Sequence, residues 1–210
     1  MINTHSNDIH EALTPPPQNA ESAQRASNNT AYILEHFGTA DDLRDNFRIM
    51  PAGKTGSLTG TTREHFLHAS DHILEALCPL ANGYLDGYFP TVLRDGAMSG
   101  ILKESWRIRP VTLLEAMARA IDTRVTKRWN ECIDRDGTMT KDQFGFRIDG
   151  NPTDPSDIVT AAMEDARTYN DDLTVLFEDC SEAFDSMGDP GLDVALQMNG
   201  IDDRFIEWIM

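Results

Sequence analysis

Leu173 to Ser186 reads LTVLFEDCSEAFDS, and it holds the residues of this chain best suited to chemistry. An apolar run, Leu173, Val175, Leu176 and Phe177, ends in the carboxylate pair Glu178 and Asp179. A third acid, Asp185, follows six residues after Asp179, behind Ala183 and Phe184. A short apolar run bounded by polar residues predicts a buried strand. Leu173 to Glu178 is therefore expected as a central strand, buried on both faces, with Asp179 at its end in a solvent-reachable cleft. A carboxylate on such a rigid edge can hold a hard cation such as Mg²⁺, which takes oxygen ligands. The same position suits a plain strand-end cap, so the local pattern leaves both readings open.

Two upstream segments bear on the choice. ILKESWRIRPVTLL spans Ile101 to Leu114, and QFGFR spans Gln143 to Arg147, with Gly150, Thr153 and Asp154 soon after. Lys103 offers a point charge and Arg109 a planar two-pronged donor, a combination that suits a polyphosphate.

In this order the segments resemble the reverse transcriptase domain of non-LTR retrotransposons. There a lysine-bearing strand leads to an "RP-(I/V)-(S/T)-LL" segment and a long helix. "QxGFR" and a "D-x-x-x-A-F-D" strand end follow. The chain keeps the sequence Lys103, Arg109 to Leu114, Gln143 to Arg147, Asp179 to Asp185. Pro51 to Gly60 looks like the family's degenerate Gly-rich "APGPDG" segment. Leu80 to Pro90, LANGYLDGYFP, looks like a further segment bearing Asn, Leu, Gly and Pro in turn. The likeness covers about Pro51 to Met210.

The resemblance implies an α+β fold, helix-rich here: the fingers and first part of the palm of a right-hand polymerase. Residues 1–50 would be a disordered or poorly ordered tail, and 51–210 a partial reverse transcriptase domain that stops before the second catalytic carboxylate motif. It implies RNA-directed DNA synthesis from deoxynucleoside triphosphates on an RNA template and DNA primer, within a larger polyprotein. Two Mg²⁺ ions would be held by Asp179, one also by the backbone carbonyl of Cys180. Lys103 and Arg109 would contact the incoming triphosphate. Phe184 would lie under the sugar and exclude a ribose 2′-OH, with plain core packing as the alternative. Gln143 and Arg147 would shape the junction of fingers and palm or touch template, and Gly145 would permit close backbone approach. Glu178 and Glu182 read as surface groups, and Asp185 as a structural acid.

The chain also departs from the family. The family carries Tyr/Phe-x-Asp-Asp on a later hairpin, whereas here that string stands only at Tyr169-Asn170-Asp171-Asp172, ahead of the expected strand, and none of the adjacent aspartate pairs, Asp41-Asp42, Asp171-Asp172 and Asp202-Asp203, lies between apolar strand residues. Glu182 stands where a Lys is usual and Asn151 where an Arg is usual. The isolated chain is therefore expected to be inactive, either a truncated gene product or a decayed element. The alternative is a non-enzymatic acidic protein that keeps the scaffold.

The net charge of −17 runs against nucleic-acid binding, which draws on a basic footprint. Residues 101–135 invert the balance, with eight Lys and Arg against five Asp and Glu. That stretch fits either a phosphate-facing surface or the solvated face of an amphipathic helix. No apolar run reaches the length of a membrane span, and MINTHSNDIHEALTPPP lacks the charged and apolar regions of a secretory signal. Cys78, Cys132 and Cys180 are far apart and odd in number, which predicts a reducing, intracellular compartment without a disulfide framework.

Three further patterns are weak. Gly53-Lys54-Thr55 lacks the earlier glycine of a P-loop, since Arg48 stands there. Asp134 to Phe144 resembles a calcium loop but has Cys132 and Gln143 at its two end ligand positions. Of the six His, only His68 and His72 stand as His-x-x-x-His, without the further Cys or His spacing of a zinc site.

For the elements that would carry these residues, the spacing predicts helices over Thr62–Leu77, Leu80–Tyr88, Leu113–Trp129, Pro155–Tyr169, Leu192–Met198 and Asp202–Ile209. Ala31–Phe37 could begin a short one. Ala97–Lys103 and Arg107–Val111 are expected to pair as strands. Residues 1–30 read as a disordered tail and 38–61 as loop.

Overall fold

The computed structural model describes residues 19–210 except 55, 103–105, 107, 141, 146, 148–149, 152, 181–182 and 184–186. The chain divides into two compact units. One comprises Gln24–Arg128 with Asp202–Ile209, and the other comprises Met1–Ala23, Trp129–Ile201 and Met210.

The first unit is built mainly of helices. They are α1 (Ala20–Ile33, whose first residues count with the other unit), α2 (Ala40–Arg48), α3 (Arg63–Leu67), α4 (Asp71–Leu85) and α5 (Thr91–Arg94). After α5 come strands β1 (Ala97–Leu102) and β2 (Ile108–Leu113), then α6 (Ala116–Asp136), which runs on past Arg128. The tail expected over 1–50 lies partly outside the described residues, and within 20–50 the chain is helical and buried instead. Ile33, Leu34, Phe37, Leu43, Phe47 and Met50 are all buried and supply part of the unit's core. Apolar residues at helical spacing outweighed the polar composition around them. The loop expected over 38–61 likewise contains α2. Thr39 accepts from the Asp42 amide and Asp42 from the Thr39 amide, a capping box that fixes the helix start.

The expected helix Thr62–Leu77 is two helices, and the break falls at His68–Ser70 rather than near Pro79. Pro79 lies inside α4, whose buried stripe of Leu74, Ala81 and Leu85 holds the helix together despite the missing amide. α4 ends at Gly87, with φ of 87°, where Tyr88 N–H donates to Gly83 and Gly87 N–H to Tyr84.

The two expected strands pair antiparallel, with Leu102 opposite Ile108 and Ala97 opposite Leu113. Leu113 thus belongs to β2, and α6 begins three residues later than expected. Its stripe of Met117, Ala118, Ile121 and Val125 is buried as the spacing requires.

α9 (Asp203–Ile209) closes this unit. Phe205 and Ile206 are buried, and Trp208 Nε1 donates to the Tyr84 carbonyl at 3.0 Å. Tyr84, Phe89 and Trp208 meet edge-on or tilted, with centroids 4.7–6.1 Å apart. Asn82 ties the segment after α1 to α4, accepting from Phe37 N–H at 2.8 Å and donating to its carbonyl at 3.1 Å.

The second unit contains the end of α6, α7 (Asp154–Tyr169) and α8 (Asp189–Met198). Pro155 and Pro190 sit in the first turns of α7 and α8, where a missing amide costs no helical bond. Asn170, with φ of 53°, stops α7. Asn199-Gly200 ends α8, with Gly200 at φ of 69°. Gly137, φ 64°, ends α6 with Thr138 N–H on the Ile133 carbonyl, so the calcium-like stretch begins as a helix terminus.

The central strand is not formed. Residues 171–180 have no regular structure, and all are exposed, Leu176 and Phe177 to about four-fifths. Among the described residues only β1 and β2 are strands, and they pair with each other. An apolar run with strand composition needs a neighbouring strand to take its amides and carbonyls.

The described residues are helix-rich, with one two-stranded antiparallel sheet among them. No helix among the described residues is long and apolar enough to cross a membrane.

Candidate functional site

Asp179 and Cys180 stand at the end of the unpaired stretch 171–180, both exposed. Among the described residues, no hydrogen bond or ion pair joins Asp179 to another residue, and no three His, Cys, Asp or Glu side chains are placed to hold a metal ion. One exposed carboxylate on an unpaired segment lacks the converging oxygens that a hard cation takes. The described residues therefore do not complete the site that the resemblance implies. Phe184 and Asp185 lie outside the described residues.

Arg109 is on β2, directly opposite Ile101, and its side chain is exposed. Lys103 lies outside the described residues. Arg109 belongs to the first unit and Asp179 to the second.

The second unit brings together Gln143, Gly145 and Arg147. Gln143 Nε2 donates to the Gly145 carbonyl at 3.4 Å. Arg147 is half-buried; it donates to the Thr140 carbonyl at 3.3 Å and pairs with Asp134 Oδ1 at 3.4 Å. The arginine thus fastens its loop to the end of α6 and to Thr140 beyond it.

The expected close approach at Gly145 is not seen. A Cβ there would meet only Gln143 Nε2, at 3.5 Å, an ordinary contact. The tight glycine is Gly150, where a Cβ would lie 2.2 Å from the Phe144 carbonyl oxygen. The sequence shows both glycines, but only the folded path of the loop tells which one faces backbone.

Sequence reasoning also missed two buried polar arrangements in the first unit. Glu115, 4% exposed, accepts from Thr59 N–H at 3.1 Å and from Thr59 Oγ1 at 2.7 Å. Asp122 accepts from the Tyr84 hydroxyl at 3.2 Å, and burial pushes its carboxyl up to about 6 against the opposing pull of that bond. The Tyr84 phenol is itself pushed up, first by burial and then by the nearby Asp122. Both acids lie in or just before a helix whose pattern reads as purely amphipathic, so no residue type flagged them.

Part of the basic stretch of residues 101–135 is structural. The Arg124 guanidinium lies 4.0 Å over the Phe37 ring, and Arg128 donates to Glu35 at 2.6 Å and to the Tyr32 carbonyl. Burial, and then the neighbouring Arg128, bring Arg124 down to about 10. A cavity of about 240 Å³ beside α9 is lined by Leu85, Asp86, Arg204, Glu207 and Trp208 among others, and by none of the residues selected from the sequence.

No protein-family model matches the chain. The chain is 30% identical over 199 residues to the RNA-directed DNA polymerase from mobile element jockey of Drosophila melanogaster. It is thus related to a reverse transcriptase. The match covers 88% of this chain and 20% of that protein, so the chain spans about a fifth of the length of its curated relative.

Proposed function

We propose that this chain is the fingers and first part of the palm of a non-LTR type reverse transcriptase. The parent protein would synthesise DNA on an RNA template from a DNA primer and deoxynucleoside triphosphates. The observation that carries the reading is the match over 88% of the chain, which takes in the ordered segments around Lys103, Arg109, Gln143–Arg147 and Asp179.

In this reading Arg109, exposed on a hairpin strand, grips the triphosphate together with Lys103. Gln143, Gly145 and Arg147 form a loop held against the end of α6, in keeping with a shaped surface for template. Phe184 screens the 2′ position of the sugar. Asp179 and the Cys180 carbonyl would serve Mg²⁺ only together with further carboxylates that the described residues do not bring.

The test is a chimera of this chain with the remainder of the jockey protein, assayed for RNA-templated primer extension. Extension that is lost in Asp179→Ala while the fold is retained supports the reading. A folded chimera whose extension is indifferent to Asp179→Ala overturns it. In the same chimera, Phe184→Ala should admit ribonucleotides while leaving deoxynucleotide use largely intact.

A further inference from the structure

We infer that Glu115 is a positioning residue, clasping the glycine-containing loop 51–60 to the hairpin strand that carries Arg109. The inference rests on the reading of Arg109 as a triphosphate contact.

A two-stranded hairpin is marginal by itself, and this one is packed on one side only. Met98, Leu102 and Ile108 share a face and are all more than half exposed. On the opposite face Ala97, Val111 and Leu113 are half-buried, and Arg109 lies further out on it. The hairpin's stance, and with it the aim of Arg109, is therefore set at its base.

Two groups from loop 51–60 act at that base. Ser57 Oγ donates to the Leu113 carbonyl, the last of β2. Thr59 gives both its amide and its hydroxyl to Glu115, two residues further on. Glu115 is buried and, among the described residues, pairs with no cation. A buried carboxylate is costly unless its oxygens are satisfied, and here Thr59 satisfies one bond on each. It also sits just before the first turn of α6, the favourable end of the helix dipole for an anion.

The loop is itself shaped for this grip. Gly60 has φ of 71°, and its amide closes a turn on the Ser57 carbonyl at 3.0 Å. Gly56 passes so near Gly60 that a Cβ would lie 2.6 Å from the Gly60 carbonyl carbon. The other end is fixed by Gly53 N–H donating to Glu64 at 3.2 Å, the main reason the Glu64 carboxyl is held below its usual range.

The experiment uses the 210-residue chain with dTTP as probe, binding measured by calorimetry. Glu115→Leu should weaken dTTP about tenfold, because it removes two bonds to a charged acceptor, while Glu115→Gln should stay within about threefold. In an Arg109→Ala background Glu115→Leu should add nothing, because it acts through Arg109. Thr59→Val keeps the amide bond to Glu115, removes the hydroxyl bond together with that hydroxyl's contacts to Thr61, and should give a smaller loss of the same pattern, which keeps the test decisive if Glu115→Leu does not fold. An unchanged affinity, or an equal loss with and without Arg109, overturns the inference.

If the unaltered chain binds no dTTP, the reading of Arg109 has failed, and hydrogen exchange decides the clasp. Exchange over residues 97–102 and 108–113 should rise at least about tenfold in Glu115→Leu, stay low in Glu115→Gln, and be unchanged in α4. Equal loss of protection in α4, or none in the hairpin, overturns the inference.

Discussion

Replacing Asp122 by Asn should stabilise the first unit, by an amount that depends on pH. Asp122 lies on α6 with the Tyr84 hydroxyl 3.2 Å from Oδ1, and burial raises its carboxyl from 3.8 to about 6. The folded state therefore holds this proton more tightly than the unfolded state does. Below the unfolded value both states are protonated and no penalty exists. As the pH rises through the window from about 4 to 6, the unfolded chain ionises first and stability falls. Above about 6 the penalty is complete, about two units at 1.36 kcal/mol each, or about 3 kcal/mol. Asn cannot ionise, and its amide oxygen can still accept from Tyr84. The advantage of Asp122→Asn should therefore grow from about 1.5 kcal/mol at pH 5 to about 3 kcal/mol at pH 7. Urea unfolding of both proteins across that range, followed by tryptophan fluorescence, measures the difference directly. A gap that does not change with pH, or a variant less stable at pH 7, would refute the reasoning.

Three other outcomes follow from single positions. The isolated chain should show no primer extension, and Asp179→Ala should leave its stability unchanged, because that carboxylate is exposed and unbonded; Mg²⁺-dependent incorporation that disappears in Asp179→Ala would contradict this. Asn46 is 5% exposed with neither side-chain polar atom bonded, so Asn46→Leu should raise stability by about 1–3 kcal/mol in denaturant titrations. Gly150→Ala forces a Cβ against the Phe144 carbonyl, and should cost about 1–3 kcal/mol while loosening hydrogen exchange around Gln143–Arg147; a silent substitution would show that the loop can move aside.

Much of the helical architecture was legible in the sequence. Apolar residues at helical spacing located the buried stripe of α6, Pro155 marked the start of α7, and Asn199-Gly200 marked the end of α8. Where the reading failed among the helices, composition had been weighed above spacing. The polar stretch before residue 50 still carries Ile33, Phe37, Leu43 and Phe47 at intervals that a core can use. The candidate site was less legible. Residue type and order pointed to Arg109 and Asp179, but the groups that hold the hairpin, Ser57, Thr59 and Glu115, are ordinary residues with no chemical pattern. Their meaning comes from contacts across more than 50 positions.

The contrast between the two strand expectations has one physical cause. A helix bonds each amide to a carbonyl four residues back, so its sequence contains its own partner. A strand does not, and its composition states only a readiness to pair. Ile108–Leu113 forms a strand because Ala97–Leu102 lies a short connection away and supplies the opposing amides. Leu173–Phe177 is at least as apolar, yet no second strand lies beside it among the described residues, and it stays without regular structure and exposed. Its exposure is therefore a statement about the missing neighbour rather than about the segment. Asp179 inherits that condition. A carboxylate becomes a metal ligand when a rigid edge holds it against others, and the residue type that drew attention to it carries no information about whether that edge is present. The same logic explains why Arg109 is the better defined of the two, since its strand brings its own partner and its base is bonded to Ser57, 56 positions earlier than Leu113.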